Sequence, residues 1–218
     1  MPLIASNLAA VRQRIAAAAK GTGRDVVLVA VTKAASVVHV RELLSLGVRR
    51  IGENRVLAAK ERFEELGRAL DGVEKHFIGH LQTNKVREAM RLFDVIESVD
   101  SLRLAKAIDQ EAASAGKTVR VFIEVNVSGE EQKFGVVPED TGDFYNKIVK
   151  LPHLKVEGVM CMAPLIPAEQ CRPHFRRARQ LFEALPLTWL SMGMSNDYVV
   201  AIEEGANMVR VGSALFEE

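Results

Sequence analysis

The sequence predicts an α/β chain folded as a single (β/α)8 TIM barrel, and three observations carry that expectation. Strand-like apolar runs alternate strictly with helical patterns along the chain, which argues for parallel pairing. Eight such strand patterns fit into 218 residues with no long linker and no low-complexity tract, the small end of the size range for a closed eight-stranded barrel. A doubly wound open sheet competes, but it normally uses fewer strands and a GxGxxG dinucleotide turn, and the sequence contains none.

The chain opens with an Ala-rich stretch, residues 1–20, that carries Arg12 and Arg14 and no acid. Transit peptides share that composition. Leu8, Val11 and Ile15 nevertheless recur at helical spacing with Gly21 behind them, so a helix packed on the barrel is expected. The run Val26-Val27-Leu28-Val29-Ala30-Val31-Thr32-Lys33 is apolar without alternation, as in a strand buried on both faces. It sets Lys33 at the carboxyl end, where ligands bind in a parallel barrel. A lysine partly withdrawn from water offers a nucleophilic amine; a solvated lysine closing the strand is the plainer alternative, and the run alone leaves both open.

Helical periodicity over 38–46 ends at Gly47, a strand follows over 49–54, and a charged helix over 56–66 stops at Gly67. Further strands are expected over 75–81, 94–99, 119–127, 155–162, 189–194 and 208–215. Helices are expected between them over 86–93, 102–115, 138–149, 169–185 and 197–204. Ser101 is placed to cap the helix over 102–115 and Gly116 to end it, whereas Pro173 marks the true start of the helix over 169–185. The polar loop 128–135, glycine-flanked around Lys133, is expected to be mobile.

Composition narrows the function classes. With 29 basic and 28 acidic residues the net charge is +1, which leaves no electrostatic footprint for nucleic acid or an anionic membrane. The 48% hydrophobic and 26% charged fractions suit one soluble domain spanning residues 1–218. No apolar run approaches the roughly 18 residues of a membrane span. Cys161 and Cys171 have no second pair and no clustered histidines, so neither a disulfide framework nor a zinc site is expected, and a cytoplasmic location fits.

The last two strand ends hold the chemistry. Loops after the seventh and eighth strands of such barrels frequently hold phosphate, and here they read Ser191-Met192-Gly193-Met194-Ser195-Asn196-Asp197 and Arg210-Val211-Gly212-Ser213. Glycine turns and helix starts expose backbone N–H groups, to which Ser195 and Ser213 add hydroxyl donors. Ser195 or Asn196 would equally serve as a cap for the following helix. Arg210 alternates with Val209 and Val211, so its guanidinium has no open route to bulk water and needs a partner. That partner is either a carboxylate such as Glu124 or a ligand atom.

An amine on the first strand, a guanidinium on the eighth and a Gly-Ser anion cup together match the needs of pyridoxal 5′-phosphate. The segments Val29-Ala30-Val31-Thr32-Lys33, Ile51-Gly52-Glu53-Asn54, Phe77-Ile78-Gly79-His80-Leu81-Gln82-Thr83-Asn84-Lys85, Glu157-Gly158-Val159-Met160-Cys161-Met162 and Leu190-Ser191-Met192-Gly193-Met194-Ser195 resemble the signatures of the pyridoxal phosphate homeostasis protein family. The chain is also similar to the barrel domain of alanine racemases. The resemblance runs over residues 7–216 and implies a fold-type III cofactor-binding barrel. By that resemblance Lys33 carries pyridoxal 5′-phosphate as a Schiff base, Arg210 faces the pyridine nitrogen, and Ser195, Gly212 and Ser213 hold the phosphate. Asn54 would lie by the ring's 3′-oxygen, with His80 and Met162 against the ring and Met194 among the cofactor-binding residues. Asn196 departs from the family, which often has an acidic or small residue there.

A guanidinium is no proton donor at neutral pH, so Arg210 would leave the ring nitrogen unprotonated and the cofactor a weaker electron sink. That suits racemisation or plain cofactor holding better than transamination. Racemisation needs a second acid/base opposite Lys33, and the only tyrosines, Tyr145 and Tyr198, fall on expected helices. The expected function is therefore intracellular vitamin B6 homeostasis without robust catalysis. Its partners would be pyridoxal 5′-phosphate and apoenzymes that require it, with the chain acting as a monomer. A racemase using the same cofactor and a cofactor-free Schiff-base aldolase are the alternatives.

Overall fold

The structure is a computed structural model describing residues 3–130 and 132–217. Met1 and Pro2 of the expected N-terminal helix, Glu131 of the 128–135 loop, and Glu218 lie outside the described residues. Eight parallel strands close into a barrel in sequence order: β1 (Val27–Val31), β2 (Arg50–Glu53), β3 (Glu74–Phe77), β4 (Val95–Val99), β5 (Val119–Val125), β6 (Leu154–Cys161), β7 (Trp189–Ser191) and β8 (Met208–Val211). Around them lie α1 (Leu3–Ala19), α2 (Val37–Ser45), α3 (Val56–Leu66), α4 (Val86–Leu92), α5 (Leu102–Ser114), α6 (Thr141–Ile148), α7 (Arg172–Glu183), α8 (Tyr198–Glu203) and α9 (Ser213–Phe216).

The helices begin where local chemistry satisfies their first N–H groups. Ser36 accepts from the His39 amide at 3.2 Å to open α2, and Ser101 accepts from the Leu104 amide at 3.3 Å to open α5. Pro173 sits in the first turn of α7, where a missing N–H costs nothing. α1 buries Ile4, Leu8, Val11 and Ile15, the stripe legible in the sequence, against α2, α8 and α9.

Two apolar layers result. The larger lies between the sheet and the helices; a second, of Val29, Val95, Phe122, Met160 and Met208, fills the barrel itself. Period-two alternation along each strand separates them. The positions next to that inner layer on β3, β4, β7 and β8 are polar: His76, Glu97, Ser191 and Arg210, all buried.

Four strands, β1, β3, β7 and β8, end earlier than their apolar character predicts. β1 stops at Val31, because Thr32 turns to accept from the Ala35 amide at 2.9 Å and Ser36 starts the next helix. Lys33 is therefore on a loop and exposed, not a strand residue partly withdrawn from water. β8 stops at Val211, and Ser213 begins α9 where the pattern suggested strand to residue 215. β3 likewise ends at Phe77, leaving Gly79 and His80 in the loop.

Candidate functional site

At the carboxyl ends of the strands the barrel opens into a cavity of about 460 Å3, lined by Lys33, Asn54, His80, Met194, Ser195, Arg210, Gly212 and Ser213, and also by Met162 and Glu124. All nine residues that the resemblance assigns to the cofactor thus share one cavity.

The loop bearing Lys33 is held from beneath. Thr32 Oγ1 donates to Glu53 Oε1 at 2.6 Å, and Arg62 Nε lies 3.0 Å from the same oxygen. Arg62 also donates to the carbonyls of Ala35 and, at 3.5 Å, Lys33. Burial pushes the Glu53 pKa up, against the opposing pull of Thr32, Arg62 and Lys33. The backbone is anchored while the amine stays accessible.

Asn54 follows β2 directly, and its position depends on Gly79. A Cβ at Gly79 would stand 2.3 Å from the Asn54 carbonyl oxygen, so only glycine lets the loops after β2 and β3 approach this closely. The His80 ring stacks on Phe134, centroids 3.6 Å apart and planes 12° from parallel, with Nδ1 3.4 Å from Asp100 Oδ2.

Ser195 joins the loops after β7 and β8. Its Oγ accepts from the Gly212 amide at 3.1 Å and the Ala214 amide at 3.3 Å. It does not cap α8; Asp197 stands at that N-cap, and its Oδ1 accepts from the Met194 amide at 2.6 Å. Gly193, at φ +92°, allows this loop to lie against α8, since a Cβ there would be 2.6 Å from that of Ala201. Two amides converging on one oxygen make a place where an anionic acceptor is satisfied.

Arg210 is 3% exposed. Its Nη1 donates to Ser191 Oγ at 2.7 Å and its Nη2 to the Cys161 carbonyl at 2.9 Å. Ser191 Oγ in turn donates to Glu97 Oε2 at 2.6 Å, 3.9 Å from the guanidinium. Glu97, rather than Glu124, is the carboxylate in ion-pair contact. Beyond it His76 contacts Glu97 Oε1 through Nδ1 at 2.7 Å and Glu74 Oε1 through Nε2 at 2.8 Å. Glu74 pairs with Arg50 at 3.0 Å and with Arg120, which pairs with Glu157 at 2.6 Å. A polar column thus crosses the barrel. Burial acts against its charges, yet the His76 pKa is raised by Glu74 and Glu97, and that of Glu97 is lowered by His76, Arg210 and Ser191, so each partner favours the charged form of the other.

Glu124, 3% exposed on β5, faces this cavity without such compensation. Burial, reinforced by Asp100 and Glu97 and only partly opposed by Arg210, lifts its carboxyl to about 7. Burial also pushes the Cys161 thiol up to about 12, so it is no nucleophile at neutral pH.

Sequence reasoning missed Glu97 and His76, and read Ser191 as opening the loop after the seventh strand where the structure buries it inside β7; the logic applied to Arg210 reaches the two charged groups, since a charge inside a strand buried on both faces must have a partner. It also missed Phe134, Leu165 and Ile166, which line the mouth. Among the described residues no group of His, Cys, Asp and Glu is placed to hold a metal, and no helix is long and apolar enough to cross a membrane.

Residues 6–218 match the family model described as alanine racemase, N-terminal domain. The pyridoxal phosphate homeostasis protein of Aquifex aeolicus is 41% identical over 97% of this chain and 96% of its own length. The protein of that name from Pseudomonas aeruginosa is 40% identical over 99% and 96%. PipY of Synechococcus elongatus, solved with PLP bound, superposes with a TM-score of 0.87 at 34% identity, covering 98% of this chain and all of that one. Alanine racemase of Clostridium difficile shares the fold, with a TM-score of 0.76 at 18% identity, this chain spanning 58% of its length.

Proposed function

This chain belongs to the pyridoxal phosphate homeostasis protein family, and from that premise we propose that it binds pyridoxal 5′-phosphate through Lys33 and holds it for intracellular vitamin B6 homeostasis. One observation carries the reading: an accessible lysine amine, a buried guanidinium and a pair of amides meeting at a serine hydroxyl line the same 460 Å3 cavity. That donor set fits the group.

Lys33 would bond to the aldehyde carbon. Ser195, Gly212 and Ser213 would hold the phosphate, with the Gly212 and Ala214 amides turning from the serine hydroxyl toward a phosphate oxygen. Arg210, oriented by Ser191 and Cys161, would face the ring nitrogen and withhold a proton from it. Asn54 would take the 3′-oxygen; His80, Met162 and Met194 would flank the ring. When bound, the cofactor supplies an electrophilic aldehyde and an electron-withdrawing ring.

The rim suggests a route for release. Leu165 is 92% exposed and Phe134 and Ile166 stand beside it at the mouth, while Lys133 donates to the Ala163 carbonyl at 3.4 Å and pairs with Glu130. An apoenzyme that needs the cofactor would dock there and receive it, the chain acting as a cytoplasmic, single-domain monomer.

Protein loaded with pyridoxal 5′-phosphate is expected to show a visible absorbance that borohydride removes, and Lys33→Ala to show neither. A yellow, borohydride-reducible Lys33→Ala protein would remove the basis of the proposal. A second reading, amino-acid racemase, draws support from Glu124, a carboxyl titrating near 7 in the same cavity as Lys33. Formation of D-alanine from L-alanine by the loaded protein, lost in Glu124→Gln, would favour it.

A further inference from the structure

At the opposite end of the barrel a cavity of about 580 Å3 lies between α1 and the chain entering β1 and β2. Four guanidiniums line it, Arg12, Arg24, Arg49 and Arg50, against a single carboxylate, Asp25. Arg50 is paired with Glu74 at 3.0 Å. Among the described residues no carboxylate lies within 4.0 Å of the other three.

Those three are fixed by backbone carbonyls instead. Arg12 donates to Leu46 at 3.2 Å, Arg24 to Ile202 at 2.7 Å, and Arg49 to Leu44 and Val48, each at 3.0 Å. Leu44, Leu46 and Ile202 are at or beside helix carboxyl ends, where a cation is favourable. Capping uses only part of a five-donor fork, and it does not explain why three uncompensated cations share one cleft. The Arg24 Nε–H is buried and has no hydrogen-bond partner among the described residues, which is a cost unless an acceptor arrives.

We propose that this cleft is a second anion site, taking a multiply charged phosphate ester or polyphosphate. Guanidinium forks meet phosphate oxygens in bidentate pairs, and the three arginines come from α1, the segment before β1 and the segment before β2, each pre-positioned by its carbonyl contact. The volume admits a ligand the size of a mononucleotide. The site does not depend on how the carboxyl-end cavity is used.

Calorimetric titration of the purified chain with inorganic pyrophosphate tests it. The expected result is a saturable site whose affinity falls at least tenfold in Arg24→Gln/Arg49→Gln and that persists in Ser195→Ala, any additional site lost in that variant belonging to the phosphate cup at the other end. Because those arginines also cap helices, Ala16→Glu provides a variant that keeps every cap: Ala16 is an exposed helical residue lining the same cleft, and a carboxylate there should weaken pyrophosphate at least fivefold with an unchanged melting temperature. No binding by the unmodified chain, or binding lost in Ser195→Ala and retained in Ala16→Glu, overturns the proposal.

Discussion

Glu124 is where a single side chain sets a property of the whole protein. Its carboxyl titrates at about 7 in the folded chain, against an ordinary value of 4.5. A folded-state pKa above the unfolded one means that the native state binds the proton more tightly, so the contribution is present below pH 4.5 and is lost as pH rises through about 7. From pH 5 to 8 that loss amounts to about 2 to 3 kcal/mol. Urea unfolding across this range should show the decline in the unmodified chain and a flatter profile in Glu124→Gln, which cannot ionise; an equal slope in both would mean that Glu124 does not titrate there. The sequence pointed to this residue for another reason, as a partner for Arg210. That Arg210 needed a partner was legible from its place between two valines. Which carboxylate supplied it was not, because Glu97 and Glu124 both stand in apolar strands and only barrel closure decides which one Ser191 bridges to Arg210.

At the scale of elements, the site is built by loops whose spacing depends on small residues. Gly79 lets the loop after β3 press on Asn54, with no room for a methyl group. Gly79→Ala should cost about 1 to 3 kcal/mol in urea unfolding, as overpacking does, and should weaken pyridoxal 5′-phosphate roughly tenfold by displacing Asn54, an effect of about 1.4 kcal/mol. Unaltered affinity at reduced stability would separate Asn54 from the cofactor. The strands themselves were legible because a barrel strand is apolar on both faces, and all eight were placed in order. The carboxyl ends of β1, β3, β7 and β8 were not. Ile78, Met192 and Met194 continue the apolar pattern past β3 and β7; Ile78 and Met194 do so because they line the cavity, and Met192 because it is buried in the core between sheet and helices. Burial against a ligand space and burial in a sheet leave the same mark in a sequence.

For the molecule as a whole, closure is uneven. β5 and β6 pair over their full length, from Val119 with Leu154 to Val125 with Cys161, whereas β7 and β8 meet in register only at Ser191 with Met208. Three further bonds, from the Asn207 amide to the Leu190 carbonyl at 3.3 Å, from the Met192 amide to the Met208 carbonyl at 3.1 Å and from the Arg210 amide to the Gly193 carbonyl at 3.0 Å, complete that seam. Side chains reinforce it: Arg210 bonds Ser191 across the seam, and Ser195 bonds Gly212 and Ala214 above it. The least-laddered join in the barrel is therefore the one that carries the anion cup. Local opening should begin there, so the Met192 and Arg210 amides should exchange with deuterium faster than those of Ile123 and Val159 in the β5–β6 ladder. A phosphate held by both loops would close the same seam. At 100 times its Kd a ligand adds about 2.7 kcal/mol, so exchange through seam opening should slow by up to ~100-fold on loading with pyridoxal 5′-phosphate. Protection that rises equally in β5 and β6, or that leaves the seam untouched, would show that the cofactor does not bridge the last two loops.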